Sequence, residues 1–157
     1  MILDERNEFA DATSVAAAAG TALIGDVIDL GAASRDIGAG QPLYLIINTA
    51  TEIITGGAAG TIEFRLVSDS TANLATSPTV HYSSGTLVTD DAAANDARLN
   101  AGGLICSIAL PQGAVYERYL GILAVIGTTT VTAGAINAFL SPDPYPAHRY
   151  YPDAMPV

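Results

Sequence analysis

In Thr61-Ile62-Glu63-Phe64-Arg65-Leu66, apolar and charged side chains alternate strictly, so Ile62, Phe64 and Leu66 share one face and Glu63 and Arg65 the other. A period of two makes this segment a half-buried β-strand. Six further runs are rich in β-branched and apolar residues, at 26–30, 43–54, 80–88, 103–110, 118–126 and 130–140. Several are apolar on both faces, as expected either of central sandwich strands or of strands whose outer face meets a partner. Turn residues break the pattern at regular intervals, in Gly38-Ala39-Gly40-Gln41-Pro42, Gly56-Gly57-Ala58-Ala59-Gly60, Ser77-Pro78, Pro111-Gln112-Gly113 and Gly127. Many short strands with frequent turns predict an all-β fold, an antiparallel β-sandwich or a jelly roll.

One short connecting helix is expected, with Thr89 as cap, Asp90 and Asp91 at the positive end of the dipole, Ala92 to Ala97 as helix formers and Arg98 before Gly102. Residues 1–25 read by propensity as a weak helix around Ala16-Ala17-Ala18-Ala19, flanked by residues that oppose one. After Leu140, Pro142, Pro144, Pro146, Pro152 and Pro156 alternate with Tyr145, Tyr150 and Tyr151. That composition resists helix and sheet, and describes either a disordered terminus or a tail whose tyrosines and Arg149 dock on a neighbour.

Charged residues make up 14% of the 157 residues, against roughly 25% in ordinary soluble domains. Either the surface is bland, rich in Ala, Thr, Ser and Gly, or part of it is covered by another subunit. Sixteen acids face six bases, all of them Arg, for a formal charge of -10. Such a balance repels phosphate backbones and argues against nucleic-acid binding. The opening Met1 to Glu8 lacks the order of a signal peptide, and no run of apolar residues is long enough to cross a membrane, so a soluble protein made in a cytoplasm is expected.

Reactive chemistry is sparse. Cys106 is the only cysteine and sits in an apolar strand, as a small core residue does. His81 and His148 lie far apart without Cys or carboxylate at ligand spacing, so no metal is expected. Asp90, Asp91 and Asp96 lack the pattern of a calcium loop and read as helix caps. The glycine clusters lack the Lys-Ser/Thr of a phosphate loop, no Gly-x-Ser-x-Gly elbow is present, and without Lys no Schiff base can form. A non-enzymatic protein without cofactor is the expectation.

Beyond composition, an ordered series of short motifs runs along the chain. Met1-Ile2-Leu3-Asp4, Phe9-Ala10-Asp11-Ala12, Val27-Ile28-Asp29-Leu30-Gly31 and Arg35-Asp36-Ile37-Gly38-Ala39-Gly40 are followed by Ser68-Asp69-Ser70, Ser77-Pro78-Thr79, Ala109-Leu110-Pro111, Glu117-Arg118-Tyr119-Leu120 and Thr132 to Ala138. The series resembles the capsid cement (decoration) proteins of tailed bacteriophages, of the type found on a Bordetella phage. The resemblance implies a jelly-roll-like sandwich over residues 26–140, with an extended N-terminal arm, 1–25, in place of the weak helix, and a C-terminal tail, 141–157. It implies a homo-oligomer, a dimer before a trimer, on the outer surface of an HK97-like shell of major capsid protein, within the virion. The terminal arms would contact capsid subunits. Ile2, Leu3, Arg6, Phe9, Arg35, Tyr145, Arg149, Tyr150 and Tyr151 are the partner-binding candidates, the arginines because a planar fork of donors suits bidentate pairing with carboxylates. A tail or baseplate jelly roll and a surface carbohydrate-binding adhesin are the rival readings.

Overall fold

The computed structural model describes residues 5–31, 37, 40–90 and 95–144. A 3-10 turn, Glu5–Asn7, leads into β1 (Glu8–Ser14) and β2 (Gly20–Asp29). There follow β3 (Tyr44–Ile54), β4 (Gly60–Asp69), β5 (Thr79–Ser83), β6 (Leu87–Thr89), β7 (Leu104–Ala109), β8 (Tyr119–Gly127) and β9 (Ala133–Ser141). Two antiparallel sheets result, one in the order β1-β9-β3-β7 and the other β2-β8-β4-β5, with β6 also on β4. Consecutive strands switch sheets from β1 to β4 and again from β6 to β9, which is the winding of a jelly roll. The expected antiparallel sandwich is therefore the fold. Among the described residues no helix is long and apolar enough to cross a membrane.

The alternation in 61–66 is realised as read. Ile62, Phe64 and Leu66 are fully buried between the sheets, each contributing about 1.5–3 kcal/mol by leaving water. On the other face Arg65 Nε and Nη2 donate to Glu63 Oε1 and Oε2 at 2.7 and 2.9 Å. Leu45, Ile47, Ile136, Ala138 and Leu140 face them from the first sheet, with Leu120, Ile122, Ala124 and Ile126 beside them in the second.

The run 80–88 is two strands, not one. β8 occupies one edge of β4 along its length, so β5 and β6 share the other, separated by Ser84-Gly85-Thr86. Ser84 spans the gap: its N–H donates to Phe64 O at 2.9 Å and its Oγ accepts the Phe64 N–H at 3.0 Å. The chain bends immediately afterwards at Gly85, whose φ of +69° only glycine adopts freely.

Residues 8–14 and 20–25, read as part of an extended arm, are extended and lie inside the sheets, β1 on β9 and β2 on β8. Tertiary pairing overrides the helix propensity of Ala16-Ala17-Ala18-Ala19, and Ala17 forms an isolated bridge with Val131. A bulge in β2 between Ile24 and Ile28 contains Gly25, whose φ is +69°. There the backbone passes so close to the Phe9 carbonyl that a Cβ could not fit. β1 is bulged as well, and Asn137 of β9 fills the gap, accepting the Ala12 N–H at 2.7 Å and donating to Asn48 Oδ1 of β3 at 2.8 Å.

The helix expected from Thr89 is not formed as read. Thr89 ends β6, opposite Gly60, because the ladder to β4 claims its backbone. The cap is Asp96, whose Oδ1 accepts the Arg98 N–H at 3.0 Å, and it opens only a 3-10 turn, Ala97–Leu99. Residues 91–94 lie outside the described set.

The apolar outer face of β8 has a cover from the same chain. Residues 70–78 fold back over the second sheet, and Leu74 packs with Val67 and Leu123 in a small second core edged by Val27 and Tyr119. Asp69, 1% exposed, closes the base of that loop. Its carboxylate accepts the N–H of Thr71, Thr76 and Ser77 at 3.4, 2.9 and 3.3 Å. Desolvation acts to raise the Asp69 carboxyl, but the backbone donors outweigh it and hold it below the usual range.

Candidate functional site

Edge strands decide where another chain could be met, because each presents a row of backbone donors and acceptors that its own sheet does not use. The first sheet ends at β1 and β7, the second at β2 and β5. β1 and β2 pack together along one side of the sandwich. Along the other, Tyr82 of β5 lies beside Cys106 of β7, and burial pushes the Cys106 thiol up to about 11.

The two sides differ in charge. β1 and β2 carry Glu8, Asp11, Asp26 and Asp29, and Glu5, Glu8, Asp11 and Asp26 line one cleft there. Desolvation first, then Asp11 and Glu5, raise the Glu8 carboxyl above its ordinary value. β5, β6 and β7 contain no Asp, Glu, Lys or Arg at all. Charge on an edge is a common means of discouraging strand addition; the β1 and β2 strands carry it and the β5 and β7 strands do not, although Glu63 and Glu117 of neighbouring segments accept from Ser83 and Thr79 of β5. Val80 of β5 and Val88 of β6 are each 49% exposed on that side.

At the end of the sandwich where β8 begins, two side-chain clusters fix the loops. Arg118 grips Asp29 with two bonds of 2.9 and 2.8 Å and lays its guanidinium over the Tyr119 ring, 4.8 Å from the centroid. The bonds from Arg118, then the Gly31 N–H, draw the Asp29 carboxyl down to about 2. Nearby, Ser68 Oγ lies 2.7 Å from His81 Nε2 and accepts the Glu117 N–H at 3.0 Å. The His81 ring packs on Tyr116 with centroids 4.2 Å apart. Ser68 is completely buried, so this pair does not present a hydroxyl to a substrate. Among the described residues no group of three or more His, Cys, Asp or Glu is placed to hold a metal ion.

Two of the partner-binding candidates lie among the described residues. Arg6 is exposed in the turn before β1 and lines a cleft with Glu5, Glu8, Val27, Ile28 and Asp29. Phe9, expected on an arm, is instead 1% exposed in the core, because β1 is a strand of the sandwich. Ile2, Leu3, Arg35, Tyr145, Arg149, Tyr150 and Tyr151 lie outside the described residues. The contrast between the two sides escaped sequence reading because it depends on which strands are edges; the lack of charge in 79–83 and 104–109 was its only signal.

Comparison with curated proteins finds no match. The sequence profile of the Bbp16 family, named for a Bordetella phage protein, matches residues 9–140. Those bounds fall at the second residue of β1 and the last but one of β9, so the match spans every strand of the sandwich. On that coverage, the chain belongs to the Bbp16 family.

Proposed function

We propose that this protein is a capsid cement protein, which binds the outer surface of a phage head and stabilises it by bridging neighbouring major capsid protein subunits of an HK97-like shell. It acts without catalysis, cofactor, nucleic acid or membrane, as a homo-oligomer in which a dimer is favoured over a trimer. The observation that carries this reading is membership of a phage-protein family over the whole jelly roll. The absence of charged residues from the β5 and β7 strands adds to it, since such edges suit contact with another polypeptide and charge is depleted at the cores of interfaces.

The mechanism is mass action. A component that binds the assembled shell but not its separated subunits stabilises assembly by its binding free energy. A specific interface of this kind buries about 1,600 Å² in total, and many copies repeat the gain over the shell. The test compares heads with and without the protein during heating or removal of salt. Rupture at a higher temperature with the protein bound is expected, and identical rupture behaviour overturns the reading. Label on the tail alone, seen by electron microscopy, would also overturn it.

A further inference from the structure

His81 occupies the bulge of β5. Tyr82 pairs with Leu66 and Val80 with Val67, leaving His81 as the extra residue between them, and a bulge re-aims the side chain it carries. Here the ring is turned onto Tyr116 and towards Ser68 of β4. Tyr116 has no solvent exposure, and its hydroxyl donates to Pro111 O at 3.1 Å. The ring and Ser68 thereby hold both Tyr116 and the Glu117 N–H, the anchors of the loop 110–118 between β7 and β8. That loop presents Val115, which is 70% exposed, to solvent.

Hydrogen bonding assigns the proton. Ser68 Oγ already accepts the Glu117 N–H, and the one acceptor its own hydrogen reaches among the described residues is His81 Nε2. The neutral ring with its proton on Nδ1 leaves Nε2 free to accept from Ser68 Oγ while Oγ accepts from Glu117. A proton arriving at Nε2 from water reverses the bond: Oγ must then accept from Nε2 as well as from Glu117, and the hydroxyl hydrogen is left without an acceptor in a buried site.

We propose that His81 is a proton-operated latch, which in its neutral form holds the 110–118 loop against the sandwich and releases it when Nε2 is protonated. The groups around the ring set the direction. From β4 comes Ser68, while the neighbouring carboxylate of Asp69 is taken up by the 70–78 loop. On β5 itself, Thr79 donates to Glu117 Oε1 at 3.2 Å, and burial raises the Tyr82 phenol and keeps it neutral. From the loop come Tyr116 and Glu117, and the Glu117 carboxylate favours the charged ring. Desolvation is the larger influence, and the net effect holds His81 below the ordinary 6.5.

The experiment follows the His81 ring by NMR across its titration, with hydrogen exchange of the Glu117 amide measured in the full chain at about pH 8 and about pH 5, on either side of the ordinary histidine value. After correction for intrinsic pH dependence, exchange at Glu117 is expected to be at least about tenfold faster on the acid side, with the midpoint of the ring titration. His81→Gln, which cannot take up a proton, should abolish the difference. If it misfolds, the wild-type coincidence of midpoints decides alone. A ring titrating at or above 6.5, an amide whose exchange ignores the ring, or a folded His81→Gln protein that keeps the full response overturns the latch.

Discussion

Leu74 occupies the space that Gly121 leaves open on the outer face of β8: a Cβ on Gly121 would lie 2.6 Å from Leu74 Cδ1 and 3.0 Å from Val27 Cγ1. The absence of a side chain at one position is thus what seats the 70–78 loop at another. Gly121→Ala should cost about 1 kcal/mol, since the tips of Leu74 and Val27 can shift, and Gly121→Val about 3 kcal/mol. Denaturant midpoints measure both, and protease susceptibility of residues 70–78 should rise with the larger side chain.

Leu74 itself has a φ of +50°, in the left-handed region that costs a non-glycine residue about 1–2 kcal/mol. Leu74→Ala should destabilise by about 2–3 kcal/mol through lost packing. Leu74→Gly loses the same contacts yet relieves the backbone, so it should be the milder change by about 1 kcal/mol. Urea unfolding of the pair decides; a more damaging glycine would mean that the backbone is not strained.

At Gly25 no side chain can give way, because the obstacle is the Phe9 carbonyl and the φ is +69°. Gly25→Ala should therefore cost about 3 kcal/mol or more, combining overpacking with left-handed strain. Thermal unfolding measures it. The same substitution at Gly57, which has a positive φ but open space around it, should cost only about 1–2 kcal/mol.

Acid should weaken the fold in two windows. Asp29, Glu63, Asp69 and Asp96 all have lowered carboxyls. Each binds its proton more readily when unfolded, so its stabilisation is complete above the ordinary carboxylate range and is lost as pH falls through the folded value. For Asp29 that window runs from 3.8 down to about 2. His81, also lowered, adds a separate loss as pH falls below 6.5. Urea midpoints against pH should show both declines, and Asp29→Asn should flatten part of the lower one while leaving the upper unchanged.

If the β5–β7 side meets the capsid or a second copy, as the proposed function suggests, a charge placed there must be buried unpaired on binding. Val80→Lys, at a position half exposed in the free chain, should leave thermal stability nearly unchanged and weaken attachment to heads at least about tenfold. Asp26→Asn on the acidic side serves as the comparison. Cosedimentation with heads stripped of the protein measures both.

How much of this was legible beforehand varied with the range of the interaction. β4 announced itself because its alternation is local, and β3, β7 and β8 fall within a residue or two of the apolar runs. β1 and the first half of β2 did not, since the four alanines between them suggest helix and only pairing with β9 and β8 fixes these segments as strands, whereas the second half of β2 falls in the run 26–30. Asp96 was read among the capping acids and does cap the turn Ala97–Leu99, but the helix start set at Thr89 failed because β6 claims Thr89. His81 was correctly set in a strand, yet its attachment to Ser68 and Tyr116 depends on a bulge and on contacts across the fold. The outer face of β8 left two readings open, and the chain's own Leu74 supplies much of the answer.

β1 and β9 are antiparallel neighbours, with Glu8 opposite Phe139, so the polypeptide enters and leaves the sandwich at one pole. The turns 15–19, 55–59 and 128–132 are knotted together by hydrogen bonds at the other. A short linker between Glu5 and Pro144 could therefore close the sandwich into a circle, while the exposed tip at 56–59 stays at the far pole.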